Sequence, residues 1–433
     1  MNKFIFFVIS ILAVGALLLF MGPIGIADPP VVTGQGGEDV GKVEGNLQTS
    51  PPSVLQHLTY SSGIAVGLSP EAIEAGSTFG RAVALDDGTA VIGAPGVENS
   101  KGAVFIFEQQ GGKWVETAYL TASDGAPNDF FGQAVAIDED TLIVGASGHD
   151  ALGFETGAAY VFQRENGTWG QKEKLMPNSP LDVRFGWSVA IDGETIVVGA
   201  PYRNQGEIIN LGSATIFTHK GGRWEMQTRL TSGRSGGAGN SDLFGWAVDV
   251  EASMIAVGAH LAEVVYLYKF SNGQWHEQTV LKDTTPSSQF GYSLSLAGNT
   301  LVVGAPAANS LGPRAGVAIR FVEQERGWVE TGRFLPVGLS PGSRFGWAVA
   351  TVVYVIVVGA RELGGGMDVE EAGSVFAFQW VEGQPIFLGE YASPTPSRQA
   401  HFGHAVAVHS AIVLVGIPGQ EQSSGAIYLI SLK

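Results

Sequence analysis

Residues 131–145 read FGQAVAIDEDTLIVG, and six variants of this segment occur elsewhere in the chain. Small and apolar residues run to position 137 without a polar face, Asp138-Glu139-Asp140 turns the chain, and a second apolar run follows. Short runs rich in Val and Ile that are bounded by turn residues are typical of strands buried on both faces. The stretch therefore predicts a buried β-hairpin.

The hairpin belongs to a repeat with one fixed internal spacing. Every copy starts with a Phe-Gly pair, and a second glycine follows thirteen residues after the first. The pairs begin at Phe79, Phe131, Phe185, Phe244, Phe290, Phe345 and Phe402, and the second glycines are Gly93, Gly145, Gly199, Gly258, Gly304, Gly359 and Gly416. The mean pitch is about 54 residues, slightly longer than that of most four-stranded propeller repeats. An unchanged spacing predicts a structural unit that contains no variable loop.

Two further strands follow each hairpin. In the first repeat the apolar run GAVFIF at 102–107 predicts a third strand, and a fourth begins near Trp114. Dipeptides such as Asn166-Gly167, which favour two-residue hairpin turns, separate the third strand from the fourth. We therefore expect an all-β fold, a seven-bladed β-propeller whose blades are four-stranded antiparallel sheets with strands A to D.

The ends of the repeat array predict how the ring closes. The seventh repeat contains only three predicted strands, whereas residues 53–60 resemble a fourth strand that lacks its first three. We expect residues 53–60 to complete the last blade, so that the propeller spans 53–433 and has no open sheet edges.

The N-terminal residues are predicted to direct export. An uncharged apolar run covers residues 4–27, which at about 1.5 Å per residue is long enough to span a bilayer. Gly25-Ile26-Ala27 places small residues as at a signal-peptide cleavage site. We expect residues 1–27 to be a signal peptide or, if uncleaved, a signal anchor, and residues 28–52 to be a flexible Pro/Gly-rich linker.

Composition excludes several classes of protein. The 433 residues include no cysteine, which excludes disulfide scaffolds, cysteine-ligated metal sites and thiol nucleophiles. Lys and Arg total 24 against 41 Asp and Glu, for a net charge of −17. This acidic balance argues against a nucleic-acid partner, because phosphate binding needs basic patches.

The repeat resembles a known family. Phe-Gly followed at a fixed distance by Gly-Ala-Pro, at 93–95, 199–201 and 304–306, is similar to the FG-GAP repeat. That repeat builds the seven-bladed propeller at the head of integrin α-subunits and occurs in many exported microbial and algal proteins. The resemblance covers residues 79–433, with degenerate Gly-Ala-Pro triplets at 145–147, 258–260, 359–361 and 416–418. It implies an extracellular recognition or adhesion platform that often binds its ligand on one propeller face.

One feature of integrin-type repeats, the calcium loop D-x-D-x-D-G between strands A and B, is missing. The corresponding turns, for example Asp86-Asp87-Gly88, are too short to wrap an ion with six or more oxygen ligands. We therefore expect no metal and no cofactor, with bound calcium as the alternative, and we attribute the aspartates to their preference for turns.

The candidate ligand surface follows from the topology. B–C loops and D–A crossovers share one face, and they vary in length and composition, as binding loops on a rigid scaffold do. Strand A begins on this face and is innermost, so the residue after each Phe-Gly pair is expected to ring the central mouth. These residues are Arg81, Gln133, Trp187, Trp246, Tyr292, Trp347 and His404. The aromatic ones could stack on a sugar or receive a protein side chain, or they could be packing wedges between blades.

The sequence thus predicts a non-catalytic, extracellular recognition or adhesion module for a protein or glycan partner. It would contact a membrane only through an uncleaved N-terminal segment. Two alternatives remain open, namely an extracellular hydrolase or lyase, which would need a pair of carboxylates at the mouth, and a structural component of the cell envelope. Asn166-Gly167-Thr168 is a candidate N-glycosylation site in an exposed hairpin.

Overall fold

The computed structural model describes residues 66–68, 70, 73–204, 209–233, 241–364 and 371–432. Their strands form seven four-stranded sheets, and all pairings within the sheets are antiparallel. The helices among the described residues are two four-residue turns, Val97–Ser100 and Gln420–Ser423. The all-β, seven-bladed propeller predicted from the repeat is therefore confirmed.

Six blades consist of four strands that are consecutive in sequence. Blade 1 contains β2 (Ala82–Asp86), β3 (Thr89–Ala94), β4 (Ala103–Gln110) and β5 (Lys113–Leu120). Blade 2 contains β6 (Phe131–Asp138), β7 (Thr141–Ala146), β8 (Ala158–Glu165) and β9 (Thr168–Leu175). Blade 3 contains β10 (Ser188–Asp192), β11 (Thr195–Ala200), β12 (Ser213–Lys220) and β13 (Arg223–Leu230). Blade 4 contains β14 (Ala247–Glu251), β15 (Met254–Ala259), β16 (Val264–Ser271) and β17 (Gln274–Lys282).

The remaining blades follow the same order. Blade 5 contains β18 (Ser293–Ala297), β19 (Thr300–Ala305), β20 (Val317–Gln324) and β21 (Gly327–Phe334). Blade 6 contains β22 (Phe345–Val352), β23 (Val355–Ala360), β24 (Ser374–Val381) and β25 (Gln384–Ala392). Blade 7 contains β26 (Ala405–His409), β27 (Ile412–Ile417) and β28 (Ala426–Ser431), with β1 (Val66–Leu68) as its outer strand.

Burial follows the position of each strand in its blade. In blade 1 every residue of β3 is buried, β4 is buried over its first five residues, and β5 alternates between exposed and half-buried positions. Neighbouring blades cover both faces of the B strand, which is why its sequence is a continuous apolar run. The core of the protein therefore lies between the sheets.

Two glycines in each repeat position the blades. The glycine of every Phe-Gly pair has a φ between 84° and 89°, a conformation that residues with a Cβ rarely adopt. In blades 1, 3, 4 and 5 its N–H donates to the carbonyl oxygen of the second glycine, for example from Gly186 to Gly199 at 3.1 Å. This hydrogen bond explains the fixed spacing of the two glycines. The second glycine also faces the next blade, since a Cβ on Gly145 would overlap the carbonyl oxygen of Gly186.

Blade 7 packs on blade 1 through the same contacts. The N–H of Phe79 donates to the carbonyl oxygen of Ser424 at 3.0 Å, and a Cβ on Gly416 would overlap the carbonyl oxygen of Gly80. The array is thus a closed ring. Blade 7 receives its outer strand from the N-terminal side, because β1 pairs antiparallel with β28.

Several sequence predictions concern residues outside the described part of the chain. These are the export segment at 1–27, the linker at 28–52 and the closing strand at 53–60. The first two remain predictions, whereas the outer position of blade 7, which residues 53–60 were predicted to fill, is occupied by β1. Among the residues that the structure does describe, no helix is long and apolar enough to cross a membrane.

Carboxylates at the A–B turns connect neighbouring blades on the face opposite the candidate surface. Each accepts a hydrogen bond of 2.8 Å from a backbone N–H in the next blade, with the pairs Asp86–Glu139, Asp138–Gly193 and Asp192–Ala252. At the closure, Nδ1 of His409 lies 3.3 Å from a carboxylate oxygen of Asp86. These aspartates therefore make contacts between blades, beyond the turn preference inferred from sequence.

Candidate functional site: the central mouth

Each residue predicted to ring the mouth is placed by a tight turn at the start of strand A. The residue before every Phe-Gly pair has a φ of 53–62°, although none of the seven is glycine. Its carbonyl oxygen accepts a hydrogen bond of 3.0–3.1 Å from the N–H of the ring residue, as in Arg184 to Trp187. Positive φ is uncommon for residues with a side chain, so a sevenfold recurrence indicates a constrained turn with a defined role.

Five of the predicted residues form a continuous arc of aromatic rings. Ring centroids are 4.8 Å apart for Trp187 and Trp246, 5.4 Å for Trp246 and Tyr292, 4.6 Å for Tyr292 and Trp347, and 5.8 Å for Trp347 and His404. Each contact joins neighbouring blades, so the rings do serve packing. All five nevertheless remain half-buried and keep accessible surface at the mouth.

The other part of the mouth is polar. Nη1 of Arg81 lies 2.7 Å from Nε2 of His404, and Nη1 of Arg361 lies 3.3 Å from Nδ1 of the same imidazole. The guanidinium of Arg361 also stacks 3.9 Å above the ring of Trp347. The structure thus brings Arg81 and His404, from the first and last blades, together with an arginine that the sequence analysis did not select.

Arg361 belongs to a group of residues that the sequence analysis missed. It occupies the third position of a degenerate Gly-Ala-Pro triplet, as do His260 and Ser147. The imidazole of His260 is 4% exposed and packs 4.4 Å from Trp246. Ser147 lines a cavity at the mouth. The sequence did contain a signal, namely a polar residue in place of proline at these three positions. Each of these polar side chains lies beside the residues that ring the mouth.

A cavity of about 550 Å³ opens between the polar part of the mouth and blade 3. Its wall includes three of the predicted residues, Arg81, Gln133 and Trp187. Much of the remaining wall is formed by Tyr202, Asn204, Asn210 and the ion pair of Arg184 with Glu155, whose charged atoms are 2.6 Å apart. The volume is within the range of about 300–1,000 Å³ that is typical of small-molecule sites.

A larger cavity of about 750 Å³ lies at the periphery of blade 1, lined by Gly67, Trp114 and Tyr119 among others. The mouth, by contrast, is formed by a turn that recurs in every blade. We regard the mouth as the candidate site for this reason.

Burial and nearby charges shift the pKa values of several residues at the mouth. Burial, with Arg81 and Arg361 nearby, lowers the pKa of His404 well below its usual value, so this imidazole is neutral at physiological pH. Burial also lowers the pKa of Arg81 and of Arg361. Burial lowers the pKa of His260 to about 4 and raises that of Tyr292 to about 12.

Asp249, which lies further along the inner strand β14, has a raised pKa. Asp249 in β14 accepts hydrogen bonds from the N–H groups of Leu296, at 2.7 Å, and Val250, at 2.9 Å. Burial raises its pKa to about 7 despite these bonds, and the charges of Glu251 and Asp192 add to the shift. Asp249 therefore holds a proton more readily than an exposed aspartate.

Two other candidate features can be located. The described residues contain no group of three or more His, Cys, Asp or Glu side chains placed to hold a metal ion. Asn166 is exposed in the turn between β8 and β9, with a φ of 52°. Its glycosylation remains a prediction.

Comparison with known proteins identifies the repeat. The fold and its ring of turns define a seven-bladed propeller. The model of the FG-GAP repeat family matches residues 67–107, 114–162, 169–217 and 275–318. These four stretches are accordingly FG-GAP repeats, as the Phe-Gly and Gly-Ala-Pro motifs predicted.

A crystal structure of a protein from Lactobacillus plantarum is also similar to this chain. The similarity covers 75% of this chain and 86% of the other, with 12% sequence identity and a TM-score of 0.45. A resemblance this distant gives no information about ligand or activity.

Proposed function

We propose that this propeller is a non-catalytic, extracellular recognition or adhesion module that binds a protein or glycan through the face formed by its B–C loops and D–A crossovers. The observation that carries the proposal is the mouth itself. Seven identical turns present one side chain each at the inner end of strand A, and a cavity of about 550 Å³ adjoins them. Tryptophan, tyrosine and arginine, which dominate this surface, are also the residues enriched at binding hot spots.

Exposed apolar side chains around the mouth support a binding role for this face. Phe154 is 82% exposed and Val337 is 85% exposed, and both belong to loops of this face. Other large apolar residues exposed on the same loops are Leu152, Met176, Leu181, Ile209, Leu261, Leu311 and Leu335. These nine are about half of the 17 large apolar residues that are exposed in the described part of the chain, and apolar groups clustered on a surface are typical of an interaction site.

The carboxylates near the mouth favour binding over glycoside hydrolysis. Hydrolysis of that kind generally uses two carboxyl groups, one of them with a raised pKa. Asp249 has a raised pKa but does not line the cavity, and Glu155, which does, is held in an ion pair with Arg184. The described part of the cavity wall therefore contains no such pair, which supports a binding role.

The extracellular location rests on the repeat and on the apolar N-terminal run. FG-GAP repeats are typical of extracellular proteins, and residues 4–27 have the composition of an export segment. Expression in a secreting host with mass analysis of the product tests this part. Recovery of the chain outside the cytoplasm, either starting at Asp28 or retaining residues 1–27 in the membrane, is expected. Retention in the cytoplasm would contradict it.

Binding to arrays of glycans and of cell-surface proteins tests the proposal as a whole. Trp187→Ala removes a cavity wall and is expected to weaken binding at least roughly tenfold, as the loss of an aromatic anchor does. Tyr354→Ala is the matched control, because Tyr354 is 50% exposed on an A–B turn of the opposite face. Equal loss in both variants, or no loss in either, would place the ligand elsewhere.

A further inference from the structure

The polar part of the mouth contains an unusual balance of charge. Two guanidinium groups, from Arg81 and Arg361, face the two nitrogens of the His404 imidazole. A neutral imidazole accepts a hydrogen bond at one nitrogen and carries a proton on the other. Because both nitrogens face guanidinium donors, one N–H of His404 points at another donor. The cluster therefore has more donors than it has acceptors.

Among the described residues, ion pairs compensate this positive charge only in part. Nε of Arg361 is buried without a hydrogen bond, and a carboxylate oxygen of Glu362 lies 3.6 Å from it. Glu362 is shared with Arg344, whose Nε lies 3.3 Å from it. Among the described residues, Arg81 has no carboxylate within 4.0 Å. A buried charge is costly unless a counter-charge accompanies it, so the described part of this cluster favours an added anion.

The remaining groups at the mouth are also mainly donors. The indole N–H groups of Trp187, Trp246 and Trp347 make no hydrogen bond with another side chain in the described part of the chain. The same is true of the Gln133 amide and the Tyr292 hydroxyl. A surface with this inventory is complementary to an oxygen-rich, negatively charged ligand.

The cavity indicates what kind of anion fits. Arg81 lines it directly, while the neighbouring pair of Arg184 and Glu155 is internally neutral. Asn204, Asn210 and Gln133 add amide groups, which can donate to and accept from hydroxyl groups. Trp187 and Tyr202, whose ring centroids are 5.5 Å apart, supply aromatic surface. Amides beside aromatic surface suit a polyhydroxylated ring better than an extended peptide.

We propose that the cavity at the mouth binds an acidic sugar, with the carboxylate of a uronic acid residue held by Arg81 and the sugar ring placed along Trp187. Arg361 contributes positive charge through the shared His404 and does not line the cavity. This inference rests on the proposed binding function and specifies the ligand for the same site. It also accounts for a cluster of arginines at the axis of a protein whose net charge is −17.

The test uses the full chain and oligogalacturonides as probes, with tryptophan fluorescence and calorimetry as readouts. Methyl esterification of the same oligomers removes the charge and keeps the sugar rings. The free acid is expected to bind at least roughly tenfold more tightly than the ester, the usual worth of a charge-assisted hydrogen bond. Arg81→Gln should abolish this preference, whereas Arg314→Gln, at an exposed position on the same face, should leave it intact.

Separate outcomes distinguish failure of this inference from failure of the proposed function. Binding of neutral glycans that is lost in Trp187→Ala and unchanged in Arg81→Gln would overturn the acidic-sugar inference and leave the binding module standing. Binding of an acidic peptide, with no response to oligogalacturonides, would overturn the inference in favour of a protein partner. Thermal unfolding of each variant shows whether its loss of binding reflects loss of fold.

Discussion

Nη1 of Arg81 donates a hydrogen bond to Nε2 of His404 over 2.7 Å, although 323 positions separate the two residues in the chain. Arg81 belongs to the first blade and His404 to the seventh, so the contact lies where the ring closes. Both residues directly follow a Phe-Gly pair, and the same turn positions each of them. The contact that joins the first and last blades is therefore also part of the mouth.

Closure can be tested at Gly416. Substitution Gly416→Ala places a methyl group on the carbonyl oxygen of Gly80 and should destabilise the protein by roughly 2 kcal/mol or more, because backbone must move to relieve the overlap. Urea unfolding measures the change. Gly170→Ala is the control, since no atom lies within 4 Å of a Cβ at Gly170. Equal unfolding midpoints for the two variants would show that blades 1 and 7 do not pack as described.

The raised pKa of Asp249 predicts a dependence of stability on pH. Its pKa is about 7 in the folded protein against 3.8 for an unperturbed aspartate. Between these values the folded state binds a proton that the unfolded state has lost, so stability falls as pH rises towards 7 and stays low above it. Relative to Asp249→Asn, wild type should lose roughly 2–4 kcal/mol between pH 4 and pH 8. Parallel stability curves for the two proteins would refute the shift.

Chelation is expected to leave the fold unchanged. The carboxylates of Asp86, Asp138 and Asp192 accept backbone hydrogen bonds from neighbouring blades and need no ion to hold them. The melting temperature measured with EDTA should therefore equal that measured with calcium. A lower value in EDTA that calcium restores, and magnesium does not, would reveal a calcium site in the protein.

Most of the fold could be predicted from the sequence because one local rule is repeated. A Phe-Gly pair and a glycine thirteen residues later determine a hairpin, and in blades 1, 3, 4 and 5 the two glycines are hydrogen-bonded. The seven ring residues could be identified for the same reason, since their place follows from the register of strand A. Residues 53–60, the predicted closing strand, are not a repeat copy, and the structure does not describe them.

The polar groups around the ring were harder to predict. Arg361 and His260 reach the mouth from B–C loops, whose course is not encoded by the repeat. Their triplets were recognised only as degenerate copies of Gly-Ala-Pro. The charge balance at His404 depends on arginines from two blades that are distant in sequence. Such a cluster is visible only in the three-dimensional structure, because its residues come together only in the folded propeller.

Hydrogen–deuterium exchange with and without a ligand retained from the binding arrays shows whether the mouth is the binding site. Bound ligand is expected to slow exchange in the turns around Arg81, Gln133 and Trp187 and in the B–C loops beside them. The opposite A–B turns, including the one that contains Tyr354, should exchange as before. Slower exchange confined to those A–B turns or to the outer strands would contradict the assignment of the mouth as the binding site.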